Sequence, residues 1–379
     1  MGQIPLSIFM AALLVLLVWG CKKAGKGLFH ENFLDYSVSK GLQGFAAMGV
    51  ILHHVTQEVT QYGRYDKGLI NVFVDAGVLF TGMFFFFSGY GLMISLMTKE
   101  DYLNGFLRKR LTSVIVPFYI CNWLFIGVNL LLGYQVKPLE LIAYISGLVM
   151  MSDQSWFIVE LAILYIAFYF IFRKRKSKTV GLCLMAAVIL CINVVSLLLG
   201  HDGLPNTLGL WFYGEWWYNT TWLFFIGMLI ARYYEQIVVF AKKQYMWLLP
   251  AGIIVFLLLH RATTYMLQHV GYWTEYPGHR GYIEKFLTFL VQCPMVIVFV
   301  LTFLLLSMKL QFRNYVLDFL GSFALEIYLL QNIFITKLTH VIEADWLFFI
   351  CVYGGTIILA FFVHKLNQRL IKVWKKSGK

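Results

Sequence analysis

The chain is built from long apolar runs of roughly 17–25 residues, separated by short charged or aromatic connections. A run of that length crosses about 30 Å of bilayer hydrocarbon as an α-helix. Lipid offers the backbone no hydrogen bonds, so each crossing segment must satisfy its own N–H and C=O groups. The short alternating strands of a membrane barrel are missing from the sequence. The expected fold class is therefore all-α, a polytopic transmembrane helix bundle. About eleven spans are predicted, at 3–20, 42–59, 69–97, 110–132, 154–172, 179–200, 217–232, 245–262, 284–307, 316–337 and 346–365. The apolar stretch 138–151 is too short to span and reads as interfacial or re-entrant. Composition agrees: 60% of the 379 residues are apolar and 13% charged, about half the charged share of a soluble domain. With a mean hydropathy of +0.73, the apolar residues cannot form one buried core.

The distribution of Lys and Arg orients the spans. With the N-terminus outside, the cytoplasmic segments are 21–41, 98–110, 173–178, 232–244, 308–314 and 365–379. They hold 24 of the 31 basic residues. The other side holds seven: Arg64, Lys67, Lys137, Arg261, Arg280, Lys285 and Lys337. The C-terminus is thus expected inside a multi-pass cell membrane protein. The net charge of +12 is a topology signal, and no basic domain exists to suggest nucleic acid. Residues 1–20 carry their positive charge, Lys22 and Lys23, after the apolar run. That order suits an uncleaved anchor better than a secretory signal. The six cysteines, Cys21, Cys121, Cys183, Cys191, Cys293 and Cys351, show no CxxC or paired Cys/His spacing. They read as packing residues, with no disulfide framework, metal site or permanently bound cofactor expected.

An ionisable residue inside a span is a functional candidate by default. His53 and His54 are adjacent near the outer half of the second span, and Glu58 lies four residues beyond His54 on the same helical face. Glu58 could orient the His54 imidazole as a carboxylate orients a base. The plainer alternative is an interfacial histidine with a backbone partner. Asp75, Glu160 and Glu326 are further intramembrane acids, each also readable as a polar contact between helices. Arg108, Lys109 and Arg110 cluster at a cytoplasmic span end, where they serve topology and could attract a polyanion. The outer segments 201–216 and 263–283 are rich in aromatics, among them Trp211, Tyr213, Trp216, Tyr272 and Trp273. They form either an interfacial belt or a platform for sugar rings.

Six fragments in order resemble the acyltransferase-3 family of bacterial integral membrane acyltransferases, from about Lys40 to Arg369. The family frame of a basic residue, ten residues and a histidine is occupied by Gln43 and His54, with Lys40 one turn before Gln43. Phe84-Phe85-Phe86-Phe87-Ser88-Gly89-Tyr90 looks like the FFxxSG(F/Y) signature. Phe106-Leu107-Arg108-Lys109-Arg110-Leu111 with Pro117 resembles the basic run before a proline, without the further basic residue often found near Ser113. Ser155-Trp156-Phe157 with Tyr165, and Phe224-Phe225-Ile226-Gly227-Met228, are similar to the next two helices. The stretch 321–331, with Glu326 and Tyr328, resembles the terminal signature, but ends in Gln331 where the family usually has His.

The resemblance implies a ten-span core plus one extra N-terminal span. Residues 1–38 would be that anchor and a basic linker, 39–370 the acyltransferase-like membrane domain, and 371–379 a basic tail. It implies transfer of an acyl group, often acetyl, from cytoplasmic acyl-CoA to a hydroxyl-bearing acceptor such as a surface glycan. His54 would be the catalytic position, as general base or acyl carrier, with His53 as alternate. Arg108, Lys109 and Arg110 would hold the CoA phosphates, with room for the pantetheine arm at Ser88 and Gly89. A transporter or flippase, or a non-catalytic relative, are the rival readings.

Overall fold

The computed structural model describes residues 5–174, 177–198, 216–270 and 282–376. The aromatic stretches 199–215 and 271–281 lie outside the described residues. Those described are almost entirely helical. Seven helices are long and apolar enough to cross a membrane: α3 (Gly77–Thr98), α4 (Phe106–Leu131), α6 (Trp156–Lys174), α7 (Lys178–Leu198), α10 (Tyr234–His269), α11 (Tyr282–Lys309) and α14 (Asp345–Lys376). The pair α12 (Tyr315–Gly321) and α13 (Ala324–Leu338), bent by 76° at their junction, is long and apolar enough only when taken together.

The other three expected spans correspond to α1 (Ser7–Val18), α2 (Tyr36–Thr60) and α9 (Trp222–Arg232). Helices α1 and α9 are short, with 12 and 11 residues. Helix α2 is 25 residues long but too polar, carrying Ser37, Ser39, Lys40, Gln43, His53, His54, Gln57 and Glu58. It is also among the most buried, with 17 of those 25 residues enclosed. Polar side chains in a membrane need protein around them, so the least apolar long helix is drawn to the bundle interior.

The helices alternate in direction, and polar contacts mark the two ends. At one end, the two-residue strands β1 (Lys22–Lys23) and β2 (Leu310–Gln311) pair antiparallel. There Lys242 meets Glu31 at 2.6 Å, and Asn314 donates to the carbonyls of Leu16 and Trp19. At the opposite end Lys67 pairs with Asp345 at 2.9 Å, and Thr339 faces Glu58. Segments 21–41, 232–244 and 308–314, grouped by their basic residues, therefore share one end. The expected loop 232–244 is mostly helix, because α10 starts at Tyr234 and runs 36 residues.

Two close approaches between helices fix the interior. Helix α12 crosses α2 at Gly44 and Gly321, where a Cβ would collide with the backbone of Leu317 and Lys40 respectively. Helices α3 and α9 meet through Gly89 against the Phe224 carbonyl and Gly227 against the Phe86 carbonyl. The expected span 316–337 breaks at Gly321 because the chain must turn off α2 there.

The stretch 138–151 forms a nine-residue helix, α5 (Pro138–Ser146), that hangs on the middle of α4. Tyr119, Asn122 and Trp123 donate to the carbonyls of Ser146, Tyr144 and Ile145 at 2.9, 2.7 and 3.0 Å. A helix C-terminus leaves its last carbonyls short of donors, and lipid would not supply them. The arrangement suits a re-entrant segment held by side-chain donors.

Adding one methyl at Gly89 forces α3 and α9 apart, an overpacking cost of about 1–3 kcal/mol. Gly127 on α4 faces open space. In detergent, Gly89→Ala is expected to melt several degrees below wild type, while Gly127→Ala melts at or above it. Equal melting of the two variants would refute the backbone-contact account.

Candidate active site

A cavity of about 610 Å³ lies between α2, α3, α4, α6 and α13, opening at the basic end. One stripe of α3 lines it, through Phe84, Phe87, Ser88, Gly91 and Ser95, at the i, i+3, i+4, i+7 spacing of a helix face. Helix α6 contributes Phe157, Leu161 and Tyr165, four residues apart. Helix α2 adds Ser39 and Gln43, and α13 adds Tyr328. The mouth carries Asp35, Tyr36, Lys99 and Arg110. Arg110 donates to the Tyr102 hydroxyl at 2.6 Å, and its buried Nε has no hydrogen-bond partner among the described residues. The guanidinium is thus pinned to Tyr102 and keeps a donor unused.

Of the three cations expected to form the inner mouth, only Arg110 lines the cavity. Successive residues turn 100° on a helix. Arg108 and Lys109 lie on the exposed side of α4, and Lys99, not singled out from sequence, joins Arg110. Ser88 lines the cavity and is hydrogen-bonded to Tyr165 at 3.0 Å. Gly89 does not line it: its missing side chain makes room for α9 rather than for a ligand. Lys40 lies beside Gly321 at the α2–α12 contact. Gln43 lines the cavity without a hydrogen bond among the described residues.

The inner reach of the cavity ends on an aromatic triad. Phe84, Phe157 and Tyr328 stand with ring centroids 5.9, 5.4 and 6.3 Å apart. Trp156 is buried beside them against Phe85 and Phe157. Gln331, one turn beyond Tyr328, is buried and donates to the Tyr328 carbonyl. Glu326 faces the other way, accepting from His364 at 3.1 Å and Asn367 at 3.0 Å on α14. Glu160 is fully buried and accepts from the Thr221 hydroxyl. Both acids serve contacts between helices.

The two histidines lie beyond the triad and are not part of the cavity wall. From Gln43 to His54 is eleven residues, three turns with a remainder of about 20°, so the two share one face of α2 about 16 Å apart in height. His53 packs on Gly77 at the start of α3 and bonds through Nδ1 to the Phe73 carbonyl at 2.8 Å. His54 is half-buried, its ring 4.5 Å from that of His53. Its Nδ1 lies 3.2 Å from Oε1 of Gln57, whose Nε2 donates to the Val74 carbonyl at 3.1 Å. Glu58, the sequence-based choice of orienter, turns instead toward Thr339 at 3.4 Å. Gln57 sits three residues from His54, a helical-face spacing as good as four; a preference for carboxylates passed over it.

This arrangement offers a cationic mouth and a shaft lined by Gln43, whose face of α2 carries His54 further along the helix. An acyltransferase domain family matches residues 34–365, most of the chain. No curated protein and no solved structure matches it. The match begins just before α2 and ends within α14, so the mouth, the triad and both histidines all fall inside it. The chain belongs to the acyltransferase-3 family of integral membrane acyltransferases.

Proposed function

We propose that this acyltransferase takes an acyl group, acetyl, from cytoplasmic acyl-CoA and passes it to a hydroxyl of an extracytoplasmic glycan. The observation that carries this reading is the 610 Å³ cavity that opens at Arg110 and is lined by Gln43, on the face of α2 that carries His54 three turns further on. CoA is polyanionic at its nucleotide end, and unpaired charge does not enter hydrocarbon. Arg110 and Lys99 hold the phosphates at the mouth, the guanidinium through its open donors. The uncharged arm then climbs past Ser88, Gln43 and Gly91 toward the triad.

His54 Nε2 accepts the proton of the acceptor hydroxyl as its oxygen attacks the thioester carbonyl. The C–S bond breaks, and the imidazolium returns that proton to the departing thiolate. In the alternative route Nε2 attacks the thioester carbonyl and the C–S bond breaks to release the thiolate; the acceptor oxygen then attacks the acyl-imidazole, the C–N bond breaks, and the hydroxyl proton goes to the thiolate. In either route the acyl end must pass Phe84, Phe157 and Tyr328, which therefore act as a gate that also keeps water from the thioester. The tryptophans and tyrosines of 201–216 and 263–283 favour a sugar acceptor, since aromatic faces suit ring stacking. Consumption of a CoA thioester by the purified protein separates this reading from transport.

His54→Ala is expected to abolish acyl transfer with normal membrane insertion; full activity in that variant would refute the assignment. Arg110→Gln is expected to raise the acyl-CoA KM about tenfold, the loss of a charge-assisted hydrogen bond. Arg108→Gln and Lys109→Gln should stay within about twofold of wild type, since neither reaches the cavity; a matching rise in KM in all three would return the donor site to the whole basic run. Phe84→Ala is expected to increase acyl-CoA hydrolysis without acceptor, measured as thiol release. An unchanged ratio of hydrolysis to transfer would remove the gate.

A further inference from the structure

We propose that Gln57, rather than Glu58, is the positioning residue for His54, and that it holds the ring with its proton on Nδ1 and a free electron pair on Nε2. This rests on the reading of His54 as the reacting imidazole. The Val74 carbonyl can only accept a hydrogen bond. Its partner on Gln57, 3.1 Å away, is therefore the amide nitrogen. That fixes the amide's orientation, so the atom 3.2 Å from His54 Nδ1 is the amide oxygen. An amide oxygen also only accepts, so Nδ1 must carry the hydrogen. In the neutral ring the remaining nitrogen, Nε2, is then the acceptor, free to take a proton or an acyl group. Among the described residues it has no hydrogen-bond partner.

The neighbouring ring obeys the same logic. His53 Nδ1 meets the Phe73 carbonyl, so it too must donate. Two consecutive carbonyls, of Phe73 and Val74, thus set both imidazoles. They are available because the chain passes there from a 3-10 turn, Gly68–Phe73, into α3, and the Val74 carbonyl takes no backbone partner. Gly77 lets the His53 ring lie against that junction, where any side chain would collide with it. The 3-10 turn and the start of α3 therefore act as a template for the site. His54 contributes the reacting atom, while Gln57 acts only through it.

The test compares Gln57→Leu, which keeps shape and loses both hydrogen bonds, with Gln57→Glu, which keeps an acceptor toward Nδ1. Gln57→Leu is expected to lower kcat about 10–100-fold with the acyl-CoA KM within about twofold, the range seen when an orienting partner is lost. Gln57→Glu is expected to recover most of that loss. In 15N-histidine NMR of the full-length protein, the resonances absent from His54→Asn should report the Nδ1–H tautomer in wild type and a tautomer mixture in Gln57→Leu. Wild-type kcat in Gln57→Leu, or an Nε2–H tautomer for His54 in the wild type, would overturn the proposal. The spectrum needs no substrate, so it decides the positioning role even if His54→Ala retains activity and the reading of His54 falls.

Discussion

Backbone-to-backbone contact at glycines is the constraint on which this bundle depends. Helices in lipid gain little by burying apolar surface against one another, because lipid tails are as apolar as leucine. Association then rests on close packing, and small residues allow it. Gly44 and Gly321 seat the α12–α13 bend on α2, while Gly89 and Gly227 seat α9 on α3. These contacts hold α2 and α3, the two helices that carry the cavity wall and the histidines, in fixed positions. A shift of either helix would slide Gln43 and Ser88 relative to the Phe157–Tyr328 rings.

The buried polar groups divide into two kinds. Glu326 is satisfied by His364 and Asn367, Asp75 meets Thr264, and Lys285 donates to the Ser196 carbonyl at the end of α7. Each ties one helix to another, and the cation at a helix C-terminus also matches the helix dipole. The second kind faces open volume or keeps donors in reserve: Arg110 at the mouth, Gln43 in the shaft, Nε2 of His54 above. Groups of the first kind stabilise the bundle, and those of the second are arranged for a ligand.

Fold class was legible because the bilayer imposes one rule, that backbone polar groups be satisfied within helices, and a run of about twenty apolar residues obeys it visibly. Span 316–337 was read as one straight helix because its break is set by the approach of Lys40 to Gly321, a contact between residues 281 apart. Helix α10 was read short because Lys242 and Lys243 suggested a loop, yet one of them finds Glu31 across the bundle end. Motif spacing singles out His54, and signature fragments single out Ser88 and Tyr328, both of which line the cavity. The basic run Arg108-Lys109-Arg110 was legible only as a run: which cation turns inward depends on the phase of α4, fixed by the packing of Phe106 against Phe168 and Tyr169.

The choice of an amide beside His54 follows from the same medium that shapes the bundle. A carboxylate enclosed against the ring would need several donors to stay charged, and otherwise takes up a proton. Gln57 is neutral and self-sufficient there, giving one hydrogen to Val74 and accepting one from the ring. Glu58, one residue further, lies at the bundle end, where Thr339 supplies a hydroxyl. The two positions differ by 100° around α2, so the helix phase that turns Gln57 onto His54 turns Glu58 away. A site of this kind keeps its imidazole oriented without a fixed negative charge nearby. The amide thus orients the ring without adding a buried charge that the surrounding helices would have to satisfy.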